Sequence, residues 1–375
     1  MKLEKALSYK DISLVPRVIS DKEHRNGDTS IECFGIQLDV PIIASPMPDV
    51  CNSNMAEHLS STGCLGIIHR FQSIENQAKQ YEIATITGIG KLNKTFAACA
   101  IGVTDDYQER FKKLYEAECR IFCLDTANGA NRLVEKAVKW IREQKQKKIL
   151  YTRTSIQYKY DKIYLIAGNV ATKEGYRFLA DLEVDAVRVG IAGGSVCETK
   201  TETGVYYPMV SSISECVEER KQIAHKYAEY HPNRTRGDNS NYHKLREEKL
   251  KQLPLIIADG GIKEPSDLCK ALAVGADLVM CGSIFAGTRQ APGDVLKIDG
   301  KKYKLYRGAA SFSVQKETNP DKDITYNEGN ETLVSYKGDV EKVVKRFEAG
   351  LKSSMSYMNA NNLEEFRKNV SFTGV

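Results

Sequence analysis

The stretch 188–208, RVGIAGGSVCETKTETGVYYP, gathers residue types that could do covalent chemistry beside a phosphate site. A mostly apolar run over 184–189 reads as a short strand leading into it. The run breaks into a glycine-rich loop through Gly190, Gly193 and Gly194, followed by Ser195 and Cys197. Glycines let a loop take positive φ and approach a ligand closely. Successive loop N–H groups with the Ser195 hydroxyl suit a phosphate cradle. Cys197 follows in a polar surround, with Thr199 and Lys200 close by. A thiol near cationic groups and amide dipoles can have a lowered pKa and act as a nucleophile. Taken alone, Cys197 is better read as one more buried thiol, because free cysteine usually serves as a small core residue. Its place on a glycine loop at the end of a strand shifts that balance.

The elements that must position this loop repeat along the chain. Short apolar runs cover 41–45 (PIIAS), 65–69 (LGIIH), 95–101 (TFAACAI), 120–124 (RIFCL), 163–167 (IYLIA), 186–190 (AVRVG), 255–259 (LIIAD) and 278–282 (LVMCG). Bounded by Gly, Pro or Asp, they suit strands buried on both faces. Helical patterns such as 131–143 and 264–274 lie between them. Such alternation predicts a (β/α)8 TIM barrel, with a doubly wound sheet as the competitor. The barrel is preferred because polar residues recur just after the runs, at the edge where a barrel builds its site. They are Asp49, Arg70, Asp125 with Asn128, Asn169, Cys197, Asp259 and Ser283. One loop Asp or Asn is usually a turn former or a helix cap; many at one edge are better explained by a site.

The bulk numbers narrow the class. A chain of 375 residues, 27% charged and 42% hydrophobic, is that of an ordinary globular protein, read here as one domain over 1–375. The net charge of +5 is spread over both signs, which argues against nucleic acid and suits a small phosphorylated substrate. No signal peptide and no run long enough to span a membrane is expected. Ten cysteines without CxxC or zinc-ligand spacing read as reduced thiols, so the expected location is cytoplasmic. Charged or Tyr-rich stretches near 144–161 and 226–252 read as surface insertions, the second turn-rich in its middle and in part disordered. After the eighth run, KIDGKKYKLYR reads as a hairpin turning at Asp299-Gly300. An active-site flap is expected near 311–335, polar and turn-rich over 319–331, with a helix from 337 onward.

Taken together, these residues resemble the IMP dehydrogenase/GMP reductase family, from SYKDISLVPR at Ser8 to the final SFTGV. The motifs that carry the resemblance are GSVC at Gly194, ADGGI at Ala258, CGS at Cys281, YRG at Tyr306, SPM at Ser45 and GIIHR at Gly66. Dehydrogenases of the family usually insert a pair of regulatory domains after the second strand. Only about 25 residues separate His69 from the third run, too few for domains of about 50 residues or more. The dehydrogenase flap carries an Arg-Tyr pair that activates water, and SFSVQKETNPDKDITYNEG has none. TGVYYP, LDTANG at Leu124 and AGNVAT at Ala167 look like the reductase branch.

The resemblance implies NADPH-dependent conversion of GMP to IMP and ammonia. The Cys197 thiolate would attack C2 of the purine, ammonia would leave a covalent thioimidate, and hydride would then arrive at C2. Thr199 and Glu328, a hydroxyl and a carboxyl, would relay the proton. On composition alone Glu328 reads as a solvated loop carboxylate and Thr199 as a turn hydroxyl. The implied phosphate contacts are Ser195, Gly261, Gly282, Ser283 and Tyr306, with Gly260 beside them. Asp259 would accept from the ribose hydroxyls and also cap a helix, while Gly308 and Ala309 would pass under the purine. Asp125, Asn128 and Asn169 fall on the cofactor side, with Arg70 where the reductase has a lysine near the nicotinamide. As in relatives, K+ would bind the carbonyls of Ala192, Gly194 and Cys197, and the chain would form a homotetramer. The departures from the family pattern are Glu198, Lys200, Tyr206, Ala309-Ala310 and Thr325. A carboxylate at Glu198 would raise the thiol pKa if the two side chains are close. The alternatives are a dehydrogenase lacking regulatory domains and a non-catalytic purine nucleotide-binding protein.

Overall fold

The computed structural model describes residues 5–17, 25–86, 95–144, 147–151, 156–160, 162–233, 239–318, 320–321, 323–324 and 326–375. Its centre is a closed parallel barrel. The strands are Ile42–Ala44 (β1), Leu65–Ile68 (β2), Ala98–Ile101 (β3), Ile121–Asp125 (β4), Tyr164–Val170 (β5), Ala186–Val189 (β6), Leu255–Asp259 (β7) and Leu278–Cys281 (β8). Every apolar run of the sequence supplies one strand. β8 pairs with β1 through Val279 and Ile42, which closes the ring and excludes a doubly wound sheet.

The runs are continuously apolar because both strand faces are buried. Ile43, Ile67, Ala100, Ile166 and Met280 fill the barrel. Their neighbours Ile42, Ile68, Cys99, Leu165 and Val279 pack outward under the helices. A hairpin of Ile31–Cys33 and Ile36–Leu38 closes the bottom, adding Phe34 and Leu38 to the inner cluster. Asn131 caps the helix Arg132–Glu143, accepting from the N–H groups of Leu133 and Val134. The helix Pro265–Val274 starts on a proline at its first turn and ends on Gly275 in the left-handed region.

The barrel floor is tied to the outer helices by a device used twice. Asp185 Oδ2, just before β6, accepts from Leu165 N at 2.8 Å and from Arg142 Nη2 at 2.9 Å. Asp277 Oδ2, just before β8, accepts from Ile256 N at 2.8 Å and from Arg220. Each aspartate joins a strand edge to a guanidinium on the surrounding helix layer.

The insertions carry more regular structure than their composition suggests. Lys147–Tyr151 and Ile156–Tyr160 pair as an antiparallel hairpin. The helix Met209–Tyr230 runs into the second insertion, and Asn239–Gln252 forms a further helix beside it. Lys, Glu, Arg and Leu are strong helix formers, and this outweighs the turn residues around Pro232. In the C-terminal part, Leu296–Ile298 and Lys301–Arg307 form the expected hairpin. Asp299 and Gly300 have φ of 48° and 73°, as a type I′ turn needs. Glu331–Ser335 joins this hairpin as a third strand, where the sequence suggested only loop. The helix Val340–Tyr357 follows, and among the described residues no helix is long and apolar enough to cross a membrane.

Burial alone would raise the Asp277 carboxyl, but Arg220 and Arg367 hold it below the usual carboxylate range. A depressed folded-state pKa stabilises the fold above the unfolded value of about 3.9 and loses that contribution as pH falls below it. Asp277→Ala, which strands Arg220, is expected to cost about 3–5 kcal/mol at pH 7 in urea unfolding. It should also flatten the acid limb of the stability curve. Stability within error of the parent protein would show that the ion pair is dispensable.

Candidate active site

Side chains alternate along a strand, so the residue two places beyond an inner one also faces the barrel axis. Beyond Cys123 on β4 comes Asp125; beyond Ile166 on β5 comes Gly168; beyond Ala186 on β6 comes Arg188; beyond Ile257 on β7 comes Asp259. The apolar filling thus ends in a charged layer at the barrel mouth. Asp125, Gly168 and Arg188 lie side by side in register. Gly168 leaves its place empty, and a Cβ there would come within 2.6 Å of the Arg188 Cβ. Arg188 therefore reaches across β5. Its Nη1 donates to Asp125 Oδ1 at 3.0 Å; its Nε and Nη2 donate to Asp259 Oδ2 at 3.0 and 2.8 Å. Asn169 Nδ2 adds a bond to the same Asp259 oxygen at 2.8 Å. Arg70 Nε completes the row at Asp125 Oδ2, 3.3 Å away. Burial would raise the Asp125 carboxyl, but Arg188 and Arg70 hold it low. Arg188 itself was not singled out from the sequence, although a charge inside the apolar run AVRVG was the visible signal.

The cysteine-bearing loop leaves β6 at Gly190. Its φ is 138°, and a Cβ would lie 2.2 Å from the Asp259 carbonyl oxygen, so the loop packs against β7 only with glycine here. The loop delivers Cys197, which is half-buried, whereas the other cysteines are buried. Burial pushes the thiols of Cys269 up to about 11 and Cys33 up to about 12, which keeps them protonated. Cys197 Sγ donates to Thr199 Oγ1 at 3.2 Å, and Thr199 Oγ1 donates to Glu328 Oε2 at 2.6 Å. Glu328 arrives from the flap, held there by main-chain bonds. Glu198 N donates to Glu328 O at 2.8 Å, and Asn330 N donates to Val196 O at 2.9 Å.

One cleft of about 340 Å³ takes in the thiol, the charged layer and the glycine loops. Ser195, Gly260, Gly261, Gly282, Ser283 and Tyr306 give it a lining of glycine backbone and hydroxyls. Arg70, Asp125 and Asn169 add charged and amide groups to the same cleft, which Ala192, Gly194, Gly308, Ala309, Ala310 and Glu328 also line. Burial pushes the Tyr306 phenol up, keeping it a neutral hydrogen-bonding group. The strand that carries Tyr306 is locked to the barrel rim. Arg307 donates to Asp49 through Nε and Nη2 at 2.9 and 2.8 Å, and Lys304 Nζ donates to the carbonyls of Thr288 and Ala291.

Some expectations fall elsewhere. Asn128 is exposed in the loop after β4 and does not line the cleft; its Oδ1 accepts from Ala130 N at 3.1 Å, as a turn former does. Asp259 caps no helix, because Gly260 and Gly261 carry the chain onward at positive φ and the next N-cap is Glu264. Glu198 turns its carboxylate to Asn330, whose Nδ2 donates to it at 3.1 Å. Lys200 and Tyr206, two departures from the family pattern, meet each other, with the ammonium 4.4 Å from the ring centroid. Thr325 lies outside the described residues.

Comparison with known proteins agrees with this architecture. Residues 6–228 and 242–375 match the IMP dehydrogenase / GMP reductase domain. A GMP reductase of Chromobacterium violaceum is 31% identical over 365 residues, covering 96% of both chains. An inosine-5'-monophosphate dehydrogenase of Borreliella burgdorferi is 28% identical over 426 residues, covering 99% of this chain and 94% of that protein. The corresponding dehydrogenase of Chlorobaculum parvum is 32% identical over 353 residues, 90% of this chain and 61% of that one. With the closed barrel, the glycine-loop cysteine and this match over most of its length, the chain belongs to the IMP dehydrogenase/GMP reductase family of oxidoreductases.

Proposed function

We propose that the protein is a GMP reductase, converting GMP with NADPH to IMP, ammonia and NADP+. The observation that carries this reading is the row from Cys197 through Thr199 to Glu328. A reductase must expel an amine, which needs a proton, and a carboxyl one hydroxyl away from the thiol supplies one. The hydrogen bonds point the way the proton must first move. The thiol proton passes to Thr199 as Thr199 passes its own to Glu328, leaving a thiolate to attack C2 of the purine. The proton then returns through Thr199 to the departing amine. The C2–N bond breaks, and the purine stays attached to Cys197 as a thioimidate. Bound NADPH supplies the hydride that reaches C2, after which the C–S bond breaks and IMP leaves. The protein's share in that step is orientation and charge.

Ser195, Gly260, Gly261, Gly282, Ser283 and Tyr306 offer backbone N–H groups and hydroxyls to the phosphate. Asp259 accepts from the ribose, and Gly308 and Ala309 lie under the base. Arg70, Asp125 and Asn169 fit a dinucleotide, being charged or amide groups in the same cleft as the thiol. A resident K+ would take the carbonyls of Ala192, Gly194 and Cys197, oxygen ligands of the kind a hard cation prefers; among the described residues no cluster of His, Cys, Asp or Glu is suited to a metal. From the unpaired thiols we further infer a cytoplasmic location; a homotetramer follows from family analogy alone. The second reading is a dehydrogenase lacking regulatory domains, favoured by the 28% and 32% identities to dehydrogenases; the absence of an Arg-Tyr pair from the flap sequence weighs against it.

Purified protein with GMP should oxidise NADPH and release IMP and ammonia, and Cys197→Ala should abolish this. Activity with IMP and NAD+ in place of GMP and NADPH would establish the second reading. Glu328→Gln keeps a hydrogen-bond partner for Thr199 but no transferable acid. It should lower kcat by about 10²–10⁴-fold while GMP binding, measured by calorimetry, changes little.

A further inference from the structure

We propose that Arg188 is a positioning residue that couples the nucleotide and dinucleotide halves of the cleft by holding the carboxylates of Asp259 and Asp125 on one guanidinium. The proposal rests on the reading above that Asp259 faces the substrate ribose and Asp125 the cofactor.

Arg188 lines the cleft and also donates through Nη1 to Cys123 Sγ at 3.5 Å, but its shorter bonds all go to the two carboxylates. Its side chain is 8% exposed, against 13% for Asp259 and 16% for Asp125, so the link lies beneath both carboxylates. The two edges of the guanidinium are divided between the partners, Nε and Nη2 on Asp259 and Nη1 on Asp125. Only Asp259 Oδ2 is taken up this way, and Oδ1 receives no hydrogen bond among the described residues, which leaves it for ribose hydroxyls. Beyond Asp125 stands Arg70, 35% exposed, at the solvent end of the row. The four charges alternate and cancel. A displacement of either carboxylate pulls the shared guanidinium off the other, since a planar fork cannot tilt toward one partner without losing the second. A ligand that orders Asp259 therefore orders Asp125 in advance, and the second ligand meets a lower ordering cost. Lysine offers a compact ammonium in place of a fork and cannot serve both sides with this geometry.

Calorimetry on the full chain with IMP and NADPH, a pair from which no amine can leave and between which no hydride transfer can occur, measures the coupling directly. In the parent protein, saturating NADPH should tighten IMP binding about 5-fold or more, and IMP should tighten NADPH by the same factor. In Arg188→Lys that factor should fall to within about 2-fold of unity with IMP still bound. The melting temperature, recorded alongside, reports any general loosening. Asp125→Asn cuts the same link from the other side and should give the same loss, which covers an Arg188 variant that fails to fold. A factor of unity in the parent protein, or an unchanged factor in the variants, overturns the proposal. Failure of both GMP and IMP to bind the parent protein instead overturns the functional reading, and this inference with it.

Discussion

A buried guanidinium between two half-buried carboxylates is the constraint on which the upper half of the molecule depends. None of the three groups could sit alone at the top of an apolar barrel, because an unpaired buried charge costs several kcal/mol. Together they turn a hydrophobic filling into a polar floor. Asp259 is fixed in this way, and the rest of the cleft takes its position from it. Asn169 reaches over to bond it and the carbonyl of Gly190. The loop that carries the cysteine is pressed against its main chain at Gly190. The residue whose side chain the charge pairing holds is thus the one on whose main chain the glycine loop is folded.

The two ends of the cleft are built on different principles. The glycine-lined end is made from backbone and neutral hydroxyls, set by strand ends and by a hairpin clamped through Asp49 and Arg307. Such a surface has few moving parts. The thiol end joins two segments distant in sequence, and the flap is held to the cysteine loop by main-chain bonds with side-chain contacts between Glu198 and Asn330 and between Thr199 and Glu328. A few hydrogen bonds of about 1 kcal/mol each hold that seam. The rigid end suits recognition of an invariant group, and the lighter seam suits a part that must admit and release a base.

The barrel was legible because both faces of its strands are buried, so Ile42 facing out and Ile43 facing in both read as apolar. The hairpin at Asp299-Gly300 was legible from turn chemistry alone. The helix 239–252 was not, since Leu245 is its one buried residue among those described, so it shows no apolar face to read. The strand 331–335 has a mostly exposed face and gives no periodic signal. At the site, residues embedded in motifs were readable and those acting through reach were not. Arg188 stood in a strand, yet its partners lie 63 and 71 positions away. Glu198 shows the limit from the other side. Adjacency to Cys197 suggested an influence on the thiol, but the carboxylate bonds the flap instead.

The hydroxyl bonded to the Cys197 sulfur and the carboxyl bonded to that hydroxyl are separated by 129 residues of chain. Before those segments meet, Thr199 has no Glu328 within reach. On the mechanism proposed above, the chemistry is thus conditional on tertiary closure: a chain halted partway through folding, or nicked so that the flap falls away, would carry the nucleophile without its relay. The separation would act as a safeguard in time, reactivity being switched on by completion of the fold rather than inherited from the sequence around the cysteine.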